Sequence, residues 1–332
     1  MEDIKTCGKR SRFPVWSVRW LDADYHPEGA ETIRNGPDTP DWWRSAPFIL
    51  LHVACFAALW TGVGGFAVGF AILMYVVRMF GVTAALHRYF SHRTYRTSRV
   101  FQFLLAVLAA SCVQRGALWW AATHRHHHRH SDDEEDKHSP VVSGFWWSHI
   151  GWITSRRNFP TDYAGIRDFA RYPELVFLNR FDTLVPALLA LATWGLGALL
   201  EKYAPGLGVT GMQLLVWGFV ISTVAVFHGT ACINSLSHVF GTRRFGTHDH
   251  SRNNGLLAFL TLGEGWHNNH HRYPASVRQG FYWWEFDPTW WALRGLAALG
   301  LVWDLRPVPA AIYDEARVTT DTGVRAKESG DT

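Results

Sequence analysis

Apolar and polar stretches alternate along the chain in blocks long enough to suggest membrane spans. One apolar run starts near Ala46 and continues to Gly64, and a second runs from Phe66 to Leu86 with Arg78 inside it. A third covers Leu184 to Leu200, and a fourth extends from Met212 to about Val239. Each approaches the roughly 20 residues that a helix needs to cross a bilayer. The pattern predicts four transmembrane helices over 46–64, 66–86, 184–200 and 212–239, arranged as two hairpins. Residues 1–45, broken by Pro14, Pro27, Pro37 and Pro40, read as a polar cytosolic segment. Residues 87–183 and 240–305 read as a cytosolic cap, and 306–332 as a polar, disordered tail. The stretch Val100–Ala122 is apolar and helical in pattern but contains Gln114 and Arg115. It is expected to be one helix, lying at the membrane interface or packed on the bundle.

Charge tests that topology. Of 32 basic residues, 7 precede position 46, 13 lie between 87 and 183, and 10 follow position 240. The two short connections, near Gly64–Gly65 and at 201–211, hold only Lys202. By the positive-inside rule both termini and the central segment face the cytoplasm, which an even number of spans requires. The expectation is therefore a multi-pass membrane protein.

Composition then adds two anomalies. Among 332 residues there are 18 His and 18 Trp, while charged residues make up only 18%. A net charge of +4 without a long basic tract gives no footprint for nucleic acid. The four cysteines, Cys7, Cys55, Cys112 and Cys232, form no CxxC pair, so neither a disulfide framework nor a thiolate metal site is indicated.

The histidines concentrate in four strings: HRYFSH (87–92), HRHHHRH (124–130), NSLSH (234–238) and HNNHH (267–271). Positions i, i+3 and i+4 share one face of an α-helix. His124, His127 and His128 obey that spacing, as do His267, His270 and His271. Asn234 and His238, at i, i+4, also point the same way. His87 and His92, at i, i+5, sit about 140° apart on an ideal helix and would meet one site only where that helix ends. His126 lies about 200° from His124, off the ligand face, although a register through His127 and His130 stays open. Converging imidazoles suit borderline transition metals and exclude an oxygen-only calcium or magnesium site. An all-His set without thiolates fits iron handling dioxygen. Spacing alone leaves iron and zinc both open.

These strings, together with GFWWSHIGW (144–152), NSLSHVFG (234–241) and GEGWHNNHH (263–271), resemble in order and separation the membrane acyl-CoA desaturases of the stearoyl-CoA type, in their bacterial form. The resemblance spans about residues 46–305. It implies an all-α integral membrane fold: four transmembrane helices in two hairpins, capped by a cytosolic helical domain holding a di-iron centre. Its ligands would be His87, His92, His124, His127, His128, His238, His267, His270 and His271, with Asn234 holding a metal-bound water. Two Fe2+ ions and O2 as co-substrate would insert a cis double bond, commonly at C9–C10, into a fatty acyl-CoA. Carboxylates behind the imidazoles are expected from Glu264 and the run Asp132–Asp136, Asp132 among them.

Trp119, Trp120, Trp152 and Gln114 are candidates for the wall of an acyl tunnel. Arg156, Arg157 and Arg171 are candidates for CoA phosphates. Trp283, Trp284, Trp290 and Trp291 are assigned to the membrane interface. His26-Pro27-Glu28-Gly29 lacks the HPGG haem motif that some relatives carry, so electrons are expected from a separate ferredoxin, or cytochrome b5 with its reductase. Two other classes compete. A membrane hydroxylase shares the His-string chemistry, and a metal transporter would place ligands at mid-membrane rather than at the span ends.

Overall fold

The computed structural model describes residues 15–316. It is mostly helical, and among the described residues the only sheet is a two-residue antiparallel pairing of Arg96–Thr97 with Val302–Trp303. Among the described residues four helices are long and apolar enough to cross a membrane: Trp42–Thr61, Gly65–Ser91, Leu184–Tyr203 and Gly211–Ser235. Their apolar side chains point outward. Leu59, Trp60 and Leu191 are 77%, 80% and 64% exposed, as lipid-facing positions should be.

Local chemistry sets the ends of these spans. Asp41 caps the first helix by accepting from the Arg44 N–H at 3.0 Å, so the helix begins four residues before the expected start. Gly62, at φ 73°, ends it in a left-handed turn that a side chain would strain. Thr210 caps the fourth span through the Gln213 N–H. The two hairpins are tied at this end by Gln213 donating to the Thr61 carbonyl and Trp217 to that of Gly62. Midway along, buried Arg78 donates to the Ser111 carbonyl and to the hydroxyls of Ser222 and Thr223, joining the second span to the helix ending at Ser111 and to the fourth span. A charge inside a span is tolerated where hydrogen bonds surround it.

Other boundaries differ from expectation as well. The second span runs on to Ser91, because residues Gly81–Ser91 wind as a π-helix with i→i+5 hydrogen bonds. The fourth ends at Ser235, and residues 236–239 continue in turns. The stretch 100–122 is also not one helix. Arg99–Ser111 and Ala117–His130 are separate, broken where Val113 and Arg115 take left-handed φ of 58° and 68°. A Cβ on Gly116 would sit 2.2 Å from Asn179 Oδ1, which itself caps the new helix at the Trp119 N–H. This break aims Ala117–His130 across the ends of the spans.

The tail is ordered where it begins, contrary to the expectation for 306–332. Residues 310–316 are helical, and Ile312 and Ala316 pack with Phe245 and Phe281. Arg272 pairs with Glu315. The rest of the expected tail, 317–332, lies outside the described residues, as do residues 1–14.

Candidate metal centre

Four segments converge on the nine histidines named above, and the structure divides them into two groups. His87, His92, His124, His128 and His270 form one, and His127, His238, His267 and His271 the other. Within each group one donor atom per residue lies within 4.8 Å of all the rest. The i, i+5 difficulty of His87 and His92 is removed by the π-helix. Its wider turn brings residues five apart onto one face, the His92 N–H donates to the His87 carbonyl at 3.2 Å, and the rings stand 4.9 Å apart.

The helix His267–Arg272 is only six residues long and is held from outside. Asn268, fully buried, accepts from the N–H groups of Arg244 and Phe245. Asn269, also fully buried, donates to the Gln279 carbonyl and to Glu285. These two contacts explain the asparagines between the histidines, a feature that spacing arguments pass over.

Four carboxylates fix ring orientation. Nδ1 of His87 meets Glu264, His127 meets Asp136 at 2.9 Å, His238 meets Asp132 at 2.8 Å, and His271 meets Asp249 at 2.5 Å. An ionised carboxylate only accepts, so each Nδ1 carries the proton and each Nε2 keeps its lone pair. Glu264 and Asp132 were expected. Asp249 was not, although an acid between His248 and His250 was the available signal.

In the five-histidine group the Nε2 atoms face one another. His270 Nε2 stands 3.0 Å from His87 Nε2 and 2.9 Å from His128 Nε2, and His92 and His124 face each other at 2.9 Å. Nδ1 of His267, Nδ1 of His270 and Nε2 of His271 are buried with no hydrogen-bond partner. Orphaned ring nitrogens in a buried cage are unfavourable unless a cation fills it. The donor set therefore fits two bound metal ions.

Electrostatics agree. Burial, reinforced by neighbouring imidazoles, holds His92, His124, His128, His267 and His270 well below the ordinary imidazole value. His271 is pushed down to about 4 by burial, against the pull of Asp249. Burial would also depress His127, but Asp136 raises it. Burial alone would raise the carboxyls of Asp132, Asp136 and Asp249, yet their histidine partners hold all three well below the usual range.

A pH dependence of the metal-free protein follows. As pH falls through the unfolded value of 6.5, the unfolded chain takes up protons that the depressed imidazoles refuse, so stability is lost. His127 alone opposes this, and the three carboxylates act only at lower pH. Metal-stripped protein is expected to melt several degrees lower at about pH 5.5 than at about pH 7.5. A flat or rising melting temperature on acidification would refute it.

A cavity of about 250 Å³ adjoins the centre, with His124, His138 and Asn234 in its wall. Trp119, Trp120, Trp152 and Gln114, the expected tunnel residues, all line it. Trp119 stacks on Trp152 at 5.8 Å, and Trp120 lies against His124 at 4.9 Å. Gln114 accepts from the Trp120 indole and donates to Thr230 on the fourth span at 2.8 Å. Thr230 carries no pattern that singles it out in the sequence.

The three candidate CoA arginines are elsewhere. Arg156 pairs with Glu28, Arg157 pairs with Asp38, Arg171 stacks on Tyr172, and none lines the cavity. Of the four tryptophans assigned to the interface, Trp283 is 84% exposed, and Trp284 and Trp291 are also exposed. Trp290 sits instead between Arg278 and Arg294.

Three histidines without matched spacing form a directed chain along the cavity. His52 Nδ1 meets the Phe48 carbonyl, which can only accept, so His52 Nε2 accepts from His228 at 3.2 Å. His228 Nδ1 then accepts from His149 at 3.0 Å, and His149 Nδ1 lies 2.9 Å from the Ser235 hydroxyl, which donates to the Ala231 carbonyl. The chain links the first span, the fourth span and the cap.

Comparison with known proteins points the same way as the geometry. A family profile described as fatty acid desaturase matches residues 64–305. The chain is 36% identical over 273 residues to an sn-1 stearoyl-lipid 9-desaturase of Synechocystis sp., covering 82% of each. It is 35% identical over 267 residues to an acyl-CoA C20 Delta5-desaturase of Anemone leveillei, covering 79% of this chain and 80% of the relative. It is 34% identical over 269 residues to a hex-5-enoyl-acyl-carrier-protein acetylenase of Moorena producens, covering 78% and 82%. With histidine groups suited to metal beside an apolar cavity, on four helices able to span a bilayer, the chain belongs to the fatty acid desaturase family and is an oxygen-dependent oxidoreductase acting on fatty acids.

Proposed function

We propose that the protein inserts a cis double bond, at the Δ9 position, into a saturated fatty acyl-CoA. The balance is –CH2–CH2– plus O2, two electrons and two protons, giving –CH=CH– and two waters. The observation that carries this reading is the abutment of the five-histidine group on the cavity wall at His124. Two iron ions held by His87, His92, His124, His127, His128, His238, His267, His270 and His271 would supply the oxidant that unactivated C–H bonds demand.

The chain's own residues bind, orient and keep water out. Glu264, Asp132, Asp136 and Asp249 hold the proton on Nδ1 of their imidazoles, leaving Nε2 free as donor. Asn234, half-buried in the cavity wall four residues before His238, would hold a metal-bound water. Trp119 and Trp152 form an apolar wall, and the Trp120–Gln114–Thr230 bridge ties the cavity wall to the fourth span. The desaturase domain spans residues 46–305. The basic residues flanking the spans support a cytoplasmic centre and termini. They also suit docking of an acidic electron donor, a ferredoxin or cytochrome b5 with its reductase.

A second reading of the carrier, an acyl chain on an intact membrane lipid, is favoured by the name of the Synechocystis relative. It is also favoured by the ion pairing of Arg156 and Arg157, which occupies two of the residues meant for CoA. Expression in cells lacking their own desaturase, with gas chromatography of the fatty acids, is expected to show a new monounsaturated species. Hydroxylated lipid in its place would overturn the desaturase reading. Purified protein given donor, O2 and either stearoyl-CoA or a stearoyl phospholipid separates the two carriers.

A further inference from the structure

The helix Ala117–His130 presents donors on two faces. Its inner face carries His124, His127 and His128 into the centre. On its outer face His126 and His130 stand one turn apart, with ring centroids separated by 4.6 Å. The turn that follows brings Glu135 back over them, and the donor atoms of His126, His130 and Glu135 all lie within 4.8 Å of one another. Asp133 stands beside this trio, 3.2 Å from His130 Nδ1. The imidazoles are half-exposed and Glu135 is exposed. Two imidazoles and a carboxylate, with the remaining positions open to water, suit a first-row divalent ion.

Offset by one residue, the same turn builds a second trio on its inner side. His127 and Asp136, the chain neighbours of His126 and Glu135, join His138 with donor atoms again within 4.8 Å. Asp136 and His138 are each 4% exposed, and His138 Nδ1 has no hydrogen-bond partner. His127 belongs both to this trio and to the four-histidine group of the centre. The two trios meet at adjacent chain positions, 126–127 and 135–136, and donor sets at this turn pass from exposed to buried. An ion crossing them exchanges water for protein donors in steps, instead of losing its whole hydration shell at the mouth of a buried cage.

The geometry points to His126, His130 and Glu135 as a further divalent-metal site, through which ions reach the buried centre by way of Asp136 and His138. This assignment rests on the reading of the nine buried histidines as a metal centre. The test uses full-length protein in detergent, stripped with a chelator and titrated with Co2+, read by elemental analysis and visible absorption. Wild type is expected to bind one more equivalent than H126A/H130A, and more weakly than the buried ions. From dilute Co2+ the double variant should fill the centre several-fold more slowly while reaching the same final occupancy. Glu135→Gln, isosteric and exposed, should weaken the additional equivalent without disturbing the fold. Equal stoichiometry in wild type and H126A/H130A overturns the site, and an additional equivalent with an unchanged filling rate overturns its role in entry. H270A has a different signature: it lowers buried occupancy and keeps the outer equivalent, so failure of the centre is distinguishable from failure of the outer site.

Discussion

Replacement of His270 by alanine is expected to abolish unsaturated product in a desaturase-deficient host and to lower the metal content of the purified protein. His270 Nε2 sits between two partners, 3.0 Å from His87 Nε2 and 2.9 Å from His128 Nε2, so no other donor takes its place. Loss of a residue that merely orients a ligand costs about 10–100-fold in metal affinity or activity, and loss of a ligand should cost at least that. The side chain is 1% exposed, so truncation also leaves a hole in the cage. Metal analysis must therefore accompany the chromatography. A control at exposed His248, His248→Ala, should leave both quantities unchanged. Product persisting in H270A would refute the ligand assignment.

Replacement of Arg88 by methionine is expected to be the most destabilising single change in the cap. Arg88 is fully buried and donates to Glu264 at 3.2 Å, to Asp287 at 2.9 Å and to the Val277 carbonyl at 2.7 Å. Removing it strands two buried carboxylates, a loss of about 3–5 kcal/mol for a broken buried pair. Both carboxylates have second duties. Glu264 orients His87, and Asp287 caps the helix Pro288–Ala298 through the Trp290 N–H. Thermal melting should fall by many degrees, and metal should be lost with it. Arg88→Lys should recover only part, because an ammonium cannot fork to two carboxylates and a carbonyl. Wild-type melting in Arg88→Met would refute the network's role. Arg88 stands inside HRYFSH beside a ligand, yet nothing in its spacing marks it as the bearer of that network.

Legibility of the sequence follows the range of the interaction. Span positions and the two HxxHH faces were readable because helical periodicity is local, repeating every three to four residues. Where local geometry departed from the α-helix, the reading missed. The i, i+5 pair His87 and His92 looked divergent because the π-helix that aligns them has no simple sequence signal. The break at Val113–Gly116 has no local signal, because left-handed conformations at a valine and an arginine run against propensity and the new helix is capped by Asn179, far along the chain.

The chain by itself determined a four-span membrane protein with nine histidines poised for metal and the strings of a desaturase. Tertiary structure decided how those histidines divide, five and four, and which carboxylates stand behind them. Asp132 reaches His238 across 106 positions, and Glu264 reaches His87 from the far end of the cap. Orienting a metal ligand requires a partner within hydrogen-bond distance in space, and only the folded chain brings such distant residues that close.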